Sequence, residues 1–361
     1  MADARGTIVL FLTCPGIGDF LKAVPAVRVL REKFPGRIIT LVKRDTRYLN
    51  LLPVLPELGE IVFIDTKKDK LQNRLKPGRV WTNLRAFAVT AAARADAALI
   101  FRPKKSYGYW AKLAGIPVRS SLDYTGAETH WLRDGYDHIM NAYMSLAAPL
   151  GITADQAELV SRQIIALPPE AESFGEQYAL RRFGGRAKTA ALCIGGSIPM
   201  WRWGADNFMR LARDLSDAGH NIFIATGPYE TDAWEQYHKE IEALPGARWE
   251  VNMPLLQVAG VVKRCHALVG GSTGLTHIAE SVATPVIGLW AAGDSIWRPL
   301  SSTSVTVMKN PPEGWERMSQ QERERVGFVR GIPYDMVRDL ALRALEDATL
   351  FSSNQNRTIV V

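Results

Sequence analysis

The sequence predicts an α/β protein made of two doubly wound domains, each a parallel β-sheet covered by helices, which face each other across a central cleft. Three observations predict this class. The chain has 361 residues, which is longer than one ordinary domain. Short apolar runs alternate with amphipathic stretches, the pattern of β-α-β units in a parallel sheet. This alternation starts twice, and each start is an apolar strand followed by a glycine-rich turn.

The first domain begins with an apolar strand over residues 7–12 and a turn that contains Gly18 and Asp19. An amphipathic helix over residues 20–34 follows, because its apolar residues recur at helical spacing, and the next strand covers residues 38–42. Asp19 stands at the start of this helix. A carboxylate there is either a helix cap or a group that takes part in chemistry, and the pattern leaves both open.

Two basic clusters follow in the same half. An apolar strand over residues 97–101 leads directly into the second cluster, which is Arg102, Lys104 and Lys105. Because parallel sheets carry function at the carboxyl ends of their strands, we expect this cluster to bind an anion. The first cluster is more typical of a solvated loop, and its residues are Lys67, Lys68, Lys70, Arg74, Lys76 and Arg79.

A proline-rich stretch near position 166 divides the chain. We predict an N-terminal domain over 1–165, a C-terminal domain over 189–335 and a closing helix over 336–351. A linker over 166–188 connects the domains and contains a short helix, and the polar tail over 352–361 is expected to be disordered. The strands predicted in the C-terminal domain cover residues 189–194, 221–225, 267–269 and 285–290.

A second glycine-rich turn, residues 270–274, separates the strand that ends at Val269 from a helix that contains His277. Ser272 or Thr273 is expected to cap this helix. The free backbone N–H groups of its first turn and its dipole favour an anion such as a phosphate. The alternative is an ordinary strand-to-helix turn in which glycine only allows tight packing.

Composition and charge restrict the classes of partner and site. The net charge of +7 and the isoelectric point near 9.3 favour anionic partners such as nucleotides or anionic lipids. No helix-turn-helix, zinc-finger or RNP pattern is present, so nucleic acid is not expected. No apolar run reaches the length of a membrane span, and no signal peptide is found. Cys14, Cys193 and Cys265 have no metal-binding spacing, and their odd number indicates reduced thiols in the cytoplasm.

Several short motifs occur in a defined order over about residues 7–300. The first spans residues 8–42 and includes Gly18-Asp19, Pro25 and Phe34-Pro35-Gly36. The motifs of the second half are Gly195-Gly196-Ser197, Arg202-Trp203, Gly227-Pro228-Tyr229-Glu230, Met253 and Ser272-Thr273-Gly274-Leu275-Thr276-His277. In order and spacing together, these motifs resemble glycosyltransferase family 9, the ADP-heptose:lipopolysaccharide heptosyltransferases.

The resemblance implies a GT-B fold of two Rossmann-like domains and an inverting glycosyltransferase. Such an enzyme moves heptose or a related sugar from an ADP-type nucleotide-sugar donor to a lipopolysaccharide core or another anionic, lipid-linked glycan. The resemblance implies no required metal or other cofactor. The implied location is the cytoplasm, at the cytoplasmic face of the inner membrane.

The resemblance also assigns roles to residues of this sequence. Asp19 is the implied catalytic base, which removes the proton of the acceptor hydroxyl. The implied acceptor-binding residues are Gly18, Arg102, Lys104 and Lys105. The implied donor-binding residues are Ser197, Arg202, Glu230, Met253, Ser272, Thr273, Gly274 and His277.

Two positions depart from the family pattern. Trp201 stands where the family has a lysine that contacts the diphosphate, and Arg202 is the next residue. Ser272 stands where the family has an aspartate near the donor sugar. These departures leave the donor sugar open. They also leave two alternatives, a nucleotide-sugar epimerase of the same fold and an inactive family member that acts as a binding subunit.

Overall fold

The computed structural model divides the chain into two compact units, Met1–Gln163 and Ile164–Val361, close to the boundary predicted at residue 165. Each unit contains one sheet of parallel strands, so the predicted class of two doubly wound α/β domains is confirmed. The structure describes residues 6–361 except 45, 66–76, 133–134, 185–187, 197, 228–230, 320, 324–327 and 352–356.

The sheet of the first unit has six parallel strands. They are β1 (Thr7–Phe11), β2 (Arg37–Lys43), β3 (Glu60–Ile64), β4 (Ala97–Ile100), β5 (Val118–Ser121) and β6 (His130–Trp131). The described α-helices are α1 (Ile17–Lys33), α2 (Pro77–Ala92), α3 (Lys105–Leu113), α4 (Ile139–Ser145) and α5 (Gln156–Ser161). The strand order is β3-β2-β1-β4-β5-β6. The order therefore reverses between β1 and β4, which pair directly.

Helix α1 begins at Ile17, earlier than the predicted start at residue 20, with Gly16 as its N-cap residue. The helix therefore includes Gly18 and Asp19 in its first turn. The backbone can turn into the helix here because Gly16 is in an extended conformation, with φ −130° and ψ 171°.

The sheet of the second unit has seven parallel strands. They are β7 (Thr189–Cys193), β8 (Asn221–Thr226), β9 (Ala247–Val251), β10 (Ala267–Gly271), β11 (Val286–Ala291), β12 (Ser304–Lys309) and β13 (Arg357–Val360). The described α-helices are α6 (Pro169–Phe183), α7 (Ala205–Asp217), α8 (Thr231–Glu242), α9 (Leu255–Lys263), α10 (Gly274–Ser281) and α11 (Tyr334–Glu346). The strand order is β13-β12-β11-β10-β7-β8-β9. This order reverses between β7 and β10.

The segment predicted as a linker, residues 166–188, contains helix α6, which belongs to the second unit. Helix α6 packs closely on α9 at two glycines. A Cβ on Gly175 would lie 2.1 Å from the carbonyl oxygen of Gly260, so only glycine fits at this crossing. The helix is therefore a packed element of the unit, although the prolines before it read as a linker in the sequence.

The end of the chain differs from the prediction of a disordered tail. Residues Arg357–Val360 form β13, which pairs in parallel with β12. The prediction was wrong for this segment because Thr358, Ile359 and Val360 favour a strand, and Ile359 packs on the core of the second unit. The rest of the polar tail, residues 352–356, lies outside the described residues. The closing helix spans Tyr334–Glu346 and is followed by a short 3₁₀ turn over Ala348–Phe351.

The three cysteines are buried in these cores. In the described part of the chain, no helix combines the length and the apolar character that a membrane crossing requires.

Candidate functional site

The point where strand order reverses in the second unit lies between β7 and β10. In open α/β sheets, ligands bind outside the carboxyl ends of the strands at this point. The loop after β7 leads through Gly196 to Arg202, and the turn after β10 holds Ser272 and Thr273. The strand order therefore brings together two separate groups of the residues predicted to bind the donor.

The turn after β10 is held by a chain of side-chain contacts. Thr273 Oγ1 lies 2.9 Å from the Sγ atom of Cys193 and 3.4 Å from Oγ1 of Thr276. The Thr276 hydroxyl donates to the carbonyl oxygen of Gly271 at 2.7 Å. Thr273 is the N-cap residue of α10, but its side chain makes no capping hydrogen bond. The predicted side-chain cap is therefore not formed, because the hydroxyl turns toward Cys193 instead. The first backbone N–H groups of an α-helix have no partner within the helix, and such groups favour an anion.

Arg202 reaches this turn from the other loop. Its Nε and Nη2 atoms donate to the carbonyl oxygen of Gly196 at 2.8 and 2.5 Å. A Cβ on Gly196 would lie 3.5 Å from Cγ2 of Thr273 and 3.6 Å from Cγ of Arg202. Gly196 thus lies between the side chains of Arg202 and Thr273, and both are within van der Waals distance of the place where a Cβ would stand. The side chain of Trp201 packs against the hydrophobic core instead, so Arg202 supplies the cation beside the turn.

His277 is buried in the first half of α10, with 4% of its surface exposed. Its ring packs edge-on against Trp290 at 6.1 Å, and its Nδ1 atom lies 3.9 Å from Oε2 of Glu280. The other oxygen of Glu280 accepts hydrogen bonds from the backbone N–H groups of Leu300 and Ser301 at 2.6 and 3.1 Å. Glu280 therefore ties α10 to the segment before β12. This buried carboxylate gives no signal in the sequence, because Glu280 looks there like an ordinary helix residue.

The other predicted donor residues have different positions. Ser272 and Gly274 are half-buried on either side of Thr273, and Met253 is half-buried just after β9 at the same carboxyl edge of the sheet. Ser197 and Glu230 lie outside the described residues, so their roles stay predictions.

In the first unit, the reversal of strand order lies between β1 and β4. The turn after β1 leads into Gly18 and Asp19 of α1, and the segment after β4 contains Arg102 and Lys104. Gly18 is buried and Asp19 is half-buried. The Oδ2 atom of Asp19 lies 3.0 Å from the point that a Cβ of Gly16 would occupy. The carboxylate therefore folds back over the first turn of α1, where the helix dipole stabilises its negative charge.

Titratable groups at the carboxyl ends of β1, β2 and β4 shift one another's pKa values. Burial lowers the pKa of Lys43, at the end of β2, and the positive charge of Arg102 lowers it further, while Cys14 and Asp19 oppose the shift. Burial raises the pKa of the Cys14 thiol, and the charge of Asp19 adds to this effect. Asp19 therefore shares its surroundings with two cations. Lys43 is not among the residues predicted for this site, although a lysine that directly follows a buried apolar run is a signal for this edge.

Lys104 and Lys105 are exposed at the start of α3. Their Nζ atoms lie 5.1 and 5.8 Å from the ring centroids of Tyr107 and Tyr109. Two cations at the N-terminus of a helix oppose the helix dipole. A bound anion would interact favourably with both the lysines and the dipole, so this arrangement suits an anionic ligand. Within the described ranges, no group of three or more His, Cys, Asp or Glu side chains is placed to hold a metal ion.

Comparisons with known proteins agree with this architecture. The family model for glycosyltransferase family 9 (heptosyltransferase) matches residues 98–326. Lipopolysaccharide heptosyltransferase 3 from Escherichia coli is 22% identical over 343 residues, which cover 88% of this chain and 93% of that protein. The crystal structure of a family 9 glycosyltransferase from Veillonella parvula has a TM-score of 0.76 at 18% identity and covers 96% of this chain and 99% of its own.

The structure of the E. coli ADP-heptose lipopolysaccharide heptosyltransferase II has a TM-score of 0.71 at 17% identity, with 95% of this chain and 99% of its own chain covered. These neighbours share the GT-B type of fold with this chain, as the sequence predicts.

Proposed function

The chain belongs to glycosyltransferase family 9, and from this premise we propose that it is an inverting transferase of heptose or a related sugar. The proposed donor is an ADP-type nucleotide sugar. The proposed acceptor is a lipopolysaccharide core or another anionic, lipid-linked glycan. We place this reaction in the cytoplasm, at the cytoplasmic face of the inner membrane. The names of the E. coli relatives support both the sugar and the acceptor class.

One observation carries the proposal: Arg202, Gly196 and Thr273 meet at the N-terminus of α10. A nucleotide sugar carries a diphosphate, and helix N-termini bind phosphates through backbone N–H groups and the helix dipole. Arg202 uses Nε and Nη2 for the Gly196 carbonyl and has Nη1 in addition. Arg202 takes the role of the family lysine, whose own position in the sequence is occupied by Trp201.

The second unit supplies the other proposed donor contacts. Met253, which is half-buried beside the same sheet edge, packs on the adenine ring through its polarizable sulfur. We propose that Glu230 and Ser197 bind the ribose and the phosphates, and that Ser272 and Gly274 line the sugar. His277 touches the donor from α10, where Glu280 and Trp290 fix the orientation of its ring.

The first unit supplies the proposed acceptor site. Arg102, Lys104 and Lys105 bind carboxylate or phosphate groups of the acceptor. Gly18 belongs to the acceptor site beside Asp19, and Lys43 adds a further positive charge to the surroundings of Asp19. Charges of this kind attract a polyanionic acceptor over a distance that depends on ionic strength.

Asp19 acts as the general base of the proposed reaction. Its carboxylate takes the proton of the acceptor hydroxyl, and the oxygen attacks the anomeric carbon of the donor sugar. The new carbon–oxygen bond forms on the face opposite the departing diphosphate, which inverts the configuration. The sugar–phosphate bond breaks, and ADP leaves with the bonding electrons. Arg202 and the dipole of α10 stabilise its developing charge, so the proposed reaction requires no metal.

Incubation of the purified chain with ADP-heptose, with and without a lipopolysaccharide-core acceptor, tests the proposal. We expect ADP release and acceptor glycosylation only when both substrates are present, and a product linkage whose anomeric configuration, determined by NMR, is opposite to that of the donor. Conversion of the donor sugar without acceptor identifies the epimerase alternative. ADP binding without any turnover identifies the inactive binding subunit.

A further inference from the structure

The exposed apolar side chains of the chain are concentrated on one part of the first unit. Ten large hydrophobic side chains of the described residues are exposed. Six of them belong to β3, α2 and α3, and they are Phe63, Val80, Trp81, Leu84, Tyr109 and Leu113. Scattered exposed apolar residues need no explanation, but such a concentration marks an interaction surface.

Helix α2 carries the centre of this surface. Trp81 and Leu84 are one helical turn apart, with 72% and 54% of their surface exposed, while Ala86 and Thr90 are buried. Asn83 fixes the orientation of the helix, since it accepts from the backbone N–H of Asp65 and donates to its carbonyl oxygen, both at 2.9 Å. The fold therefore holds the apolar stripe of α2, which we define as Val80, Trp81 and Leu84, toward solvent.

The charged side chains that helices α2 and α3 themselves carry are all basic. Helices α2 and α3 contain no Asp or Glu, and Arg85 is exposed next to Leu84. The Arg44 guanidinium lies 6.0 Å from the ring centroid of Phe63. An apolar stripe with basic surroundings complements an anionic lipid surface, and tryptophan prefers the membrane–water interface.

The stripe is also connected to the proposed acceptor site. Helix α2 packs on α3 through Phe87 and Trp110, whose ring centroids are 5.9 Å apart. Helix α3 begins with Lys105 and has Lys104 as its N-cap residue. The two lysines of the proposed acceptor site therefore stand at the start of the helix on which α2 packs.

We propose that the apolar stripe of α2 docks the protein on an anionic membrane surface. The purpose of this docking, access to a lipid-linked acceptor, rests on the proposed function. The docking itself is a binding event that needs neither donor nor acceptor. It therefore separates experimentally from sugar transfer.

Flotation of the full-length chain with lipid vesicles tests the proposal. We expect binding to vesicles of phosphatidylcholine with phosphatidylglycerol, weaker binding at high salt, and little binding to phosphatidylcholine alone. The Trp81→Gln/Leu84→Gln variant should bind the anionic vesicles at least about tenfold more weakly. The matched control is Leu180→Gln on α6, because Leu180 is 71% exposed on a helix of the second unit. This control should bind like the unchanged protein.

Three results would overturn the docking surface. The unchanged protein fails to bind the anionic vesicles, or the double variant binds as well as the Leu180→Gln control. In the third result, the unchanged protein binds no vesicles and the double variant no longer self-associates. This combination identifies the stripe as an interface between two copies of the chain. ADP affinity, measured on the same samples, reports separately on the proposed function and should be equal in all of them.

Discussion

The Sγ atom of Cys193, the last residue of β7, lies 2.9 Å from Oγ1 of Thr273 at the start of α10. The two residues are 80 positions apart, and they meet because β7 and β10 are neighbours in the sheet. Gly270 allows this approach, since a Cβ there would lie 2.7 Å from the Cβ of Cys193. The contact fixes the threonine hydroxyl at the proposed phosphate-binding turn.

Replacement of Thr273 should weaken nucleotide binding without unfolding the protein. Thr273→Val keeps the shape of the side chain but removes the hydroxyl, and a hydrogen bond to a charged group contributes about 1.5–3 kcal/mol. We expect the Kd for ADP, measured by calorimetry, to rise at least about tenfold. Glu230→Ala should also raise it. Thr306→Val is the matched control, because the Thr306 hydroxyl is buried in β12 and has no hydrogen-bond partner among the described residues. Unchanged ADP affinity in both test variants contradicts the donor site.

Replacement of Arg202 by lysine should also weaken ADP binding, although the charge is kept. A lysine ammonium cannot donate to the Gly196 carbonyl and face a phosphate with the same planar geometry. We expect a rise of about tenfold in the Kd for ADP, and a larger rise for Arg202→Met. Arg213→Lys, which alters an exposed ion pair with Glu240, serves as the control and should have no effect. A normal Kd for Arg202→Met would remove Arg202 from the site.

Removal of the charges of Arg102, Lys104 and Lys105 should weaken acceptor binding and leave donor binding unchanged. The triple alanine variant should have a higher KM for the acceptor and an unchanged Kd for ADP, because these side chains belong to the first unit. The salt dependence of the acceptor KM should decrease in the variant. A control with the same loss of charge is Arg181→Ala/Arg182→Ala/Arg317→Ala, three exposed sites of the second unit. Loss of ADP binding in the first triple variant would instead assign the cluster to the donor.

Asp19→Asn should lose turnover and keep stability. The side chain of Asp19 is not at the N-cap position, which Gly16 occupies, and an amide cannot take a proton from a hydroxyl. We expect kcat to fall about 10²–10⁴-fold while Tm and ADP affinity stay unchanged. A true cap gives the comparison: Asp155 accepts from the N–H of Glu158 at 2.8 Å, and Asp155→Ala should lower stability by about 0.5–2 kcal/mol without changing kcat. Near-normal turnover of Asp19→Asn would place the base elsewhere, with His277 as the next residue to replace.

Glu128 should give a pH-dependent contribution to stability. Burial raises its pKa, but hydrogen bonds from the Thr125 hydroxyl and from the backbone N–H groups of Thr125 and Ala127 outweigh this effect and lower it. Because the pKa is lower in the folded protein than in the unfolded chain, the stabilisation is complete at neutral pH. It disappears as the pH falls through the folded pKa.

Glu128→Gln should therefore lower Tm at pH 7 by about 3 °C or more, and this difference should shrink below about pH 4. Glu60→Gln is the control, since Glu60 forms an exposed ion pair with Arg37 and should change Tm little. A Tm difference for Glu128→Gln that is independent of pH would show that shape, not charge, explains the effect.

Some features of the site were predictable from local sequence alone. The apolar runs that end at Leu12 and Val269, with glycines after them, predict strands that lead into helices. The carboxyl ends of such strands are where parallel sheets bind ligands, so Asp19, Arg102 and Thr273 were identified as candidates before any contact was known. Binary pattern and turn residues are local properties, and local properties can be read from a sequence.

Tertiary structure decided the contacts that bring candidate residues together within each unit. The order of the strands places β1 beside β4 and β7 beside β10, and no local pattern contains that order. The tertiary structure also decided that Arg202 rather than Trp201 reaches the turn after β10, and that Thr273 contacts Cys193 rather than capping α10. It decided as well that β13 joins the sheet. Each of these outcomes depends on pairing between residues far apart in the chain. The free energy of such pairing comes from packing and hydrogen bonds that form only when the whole unit has folded.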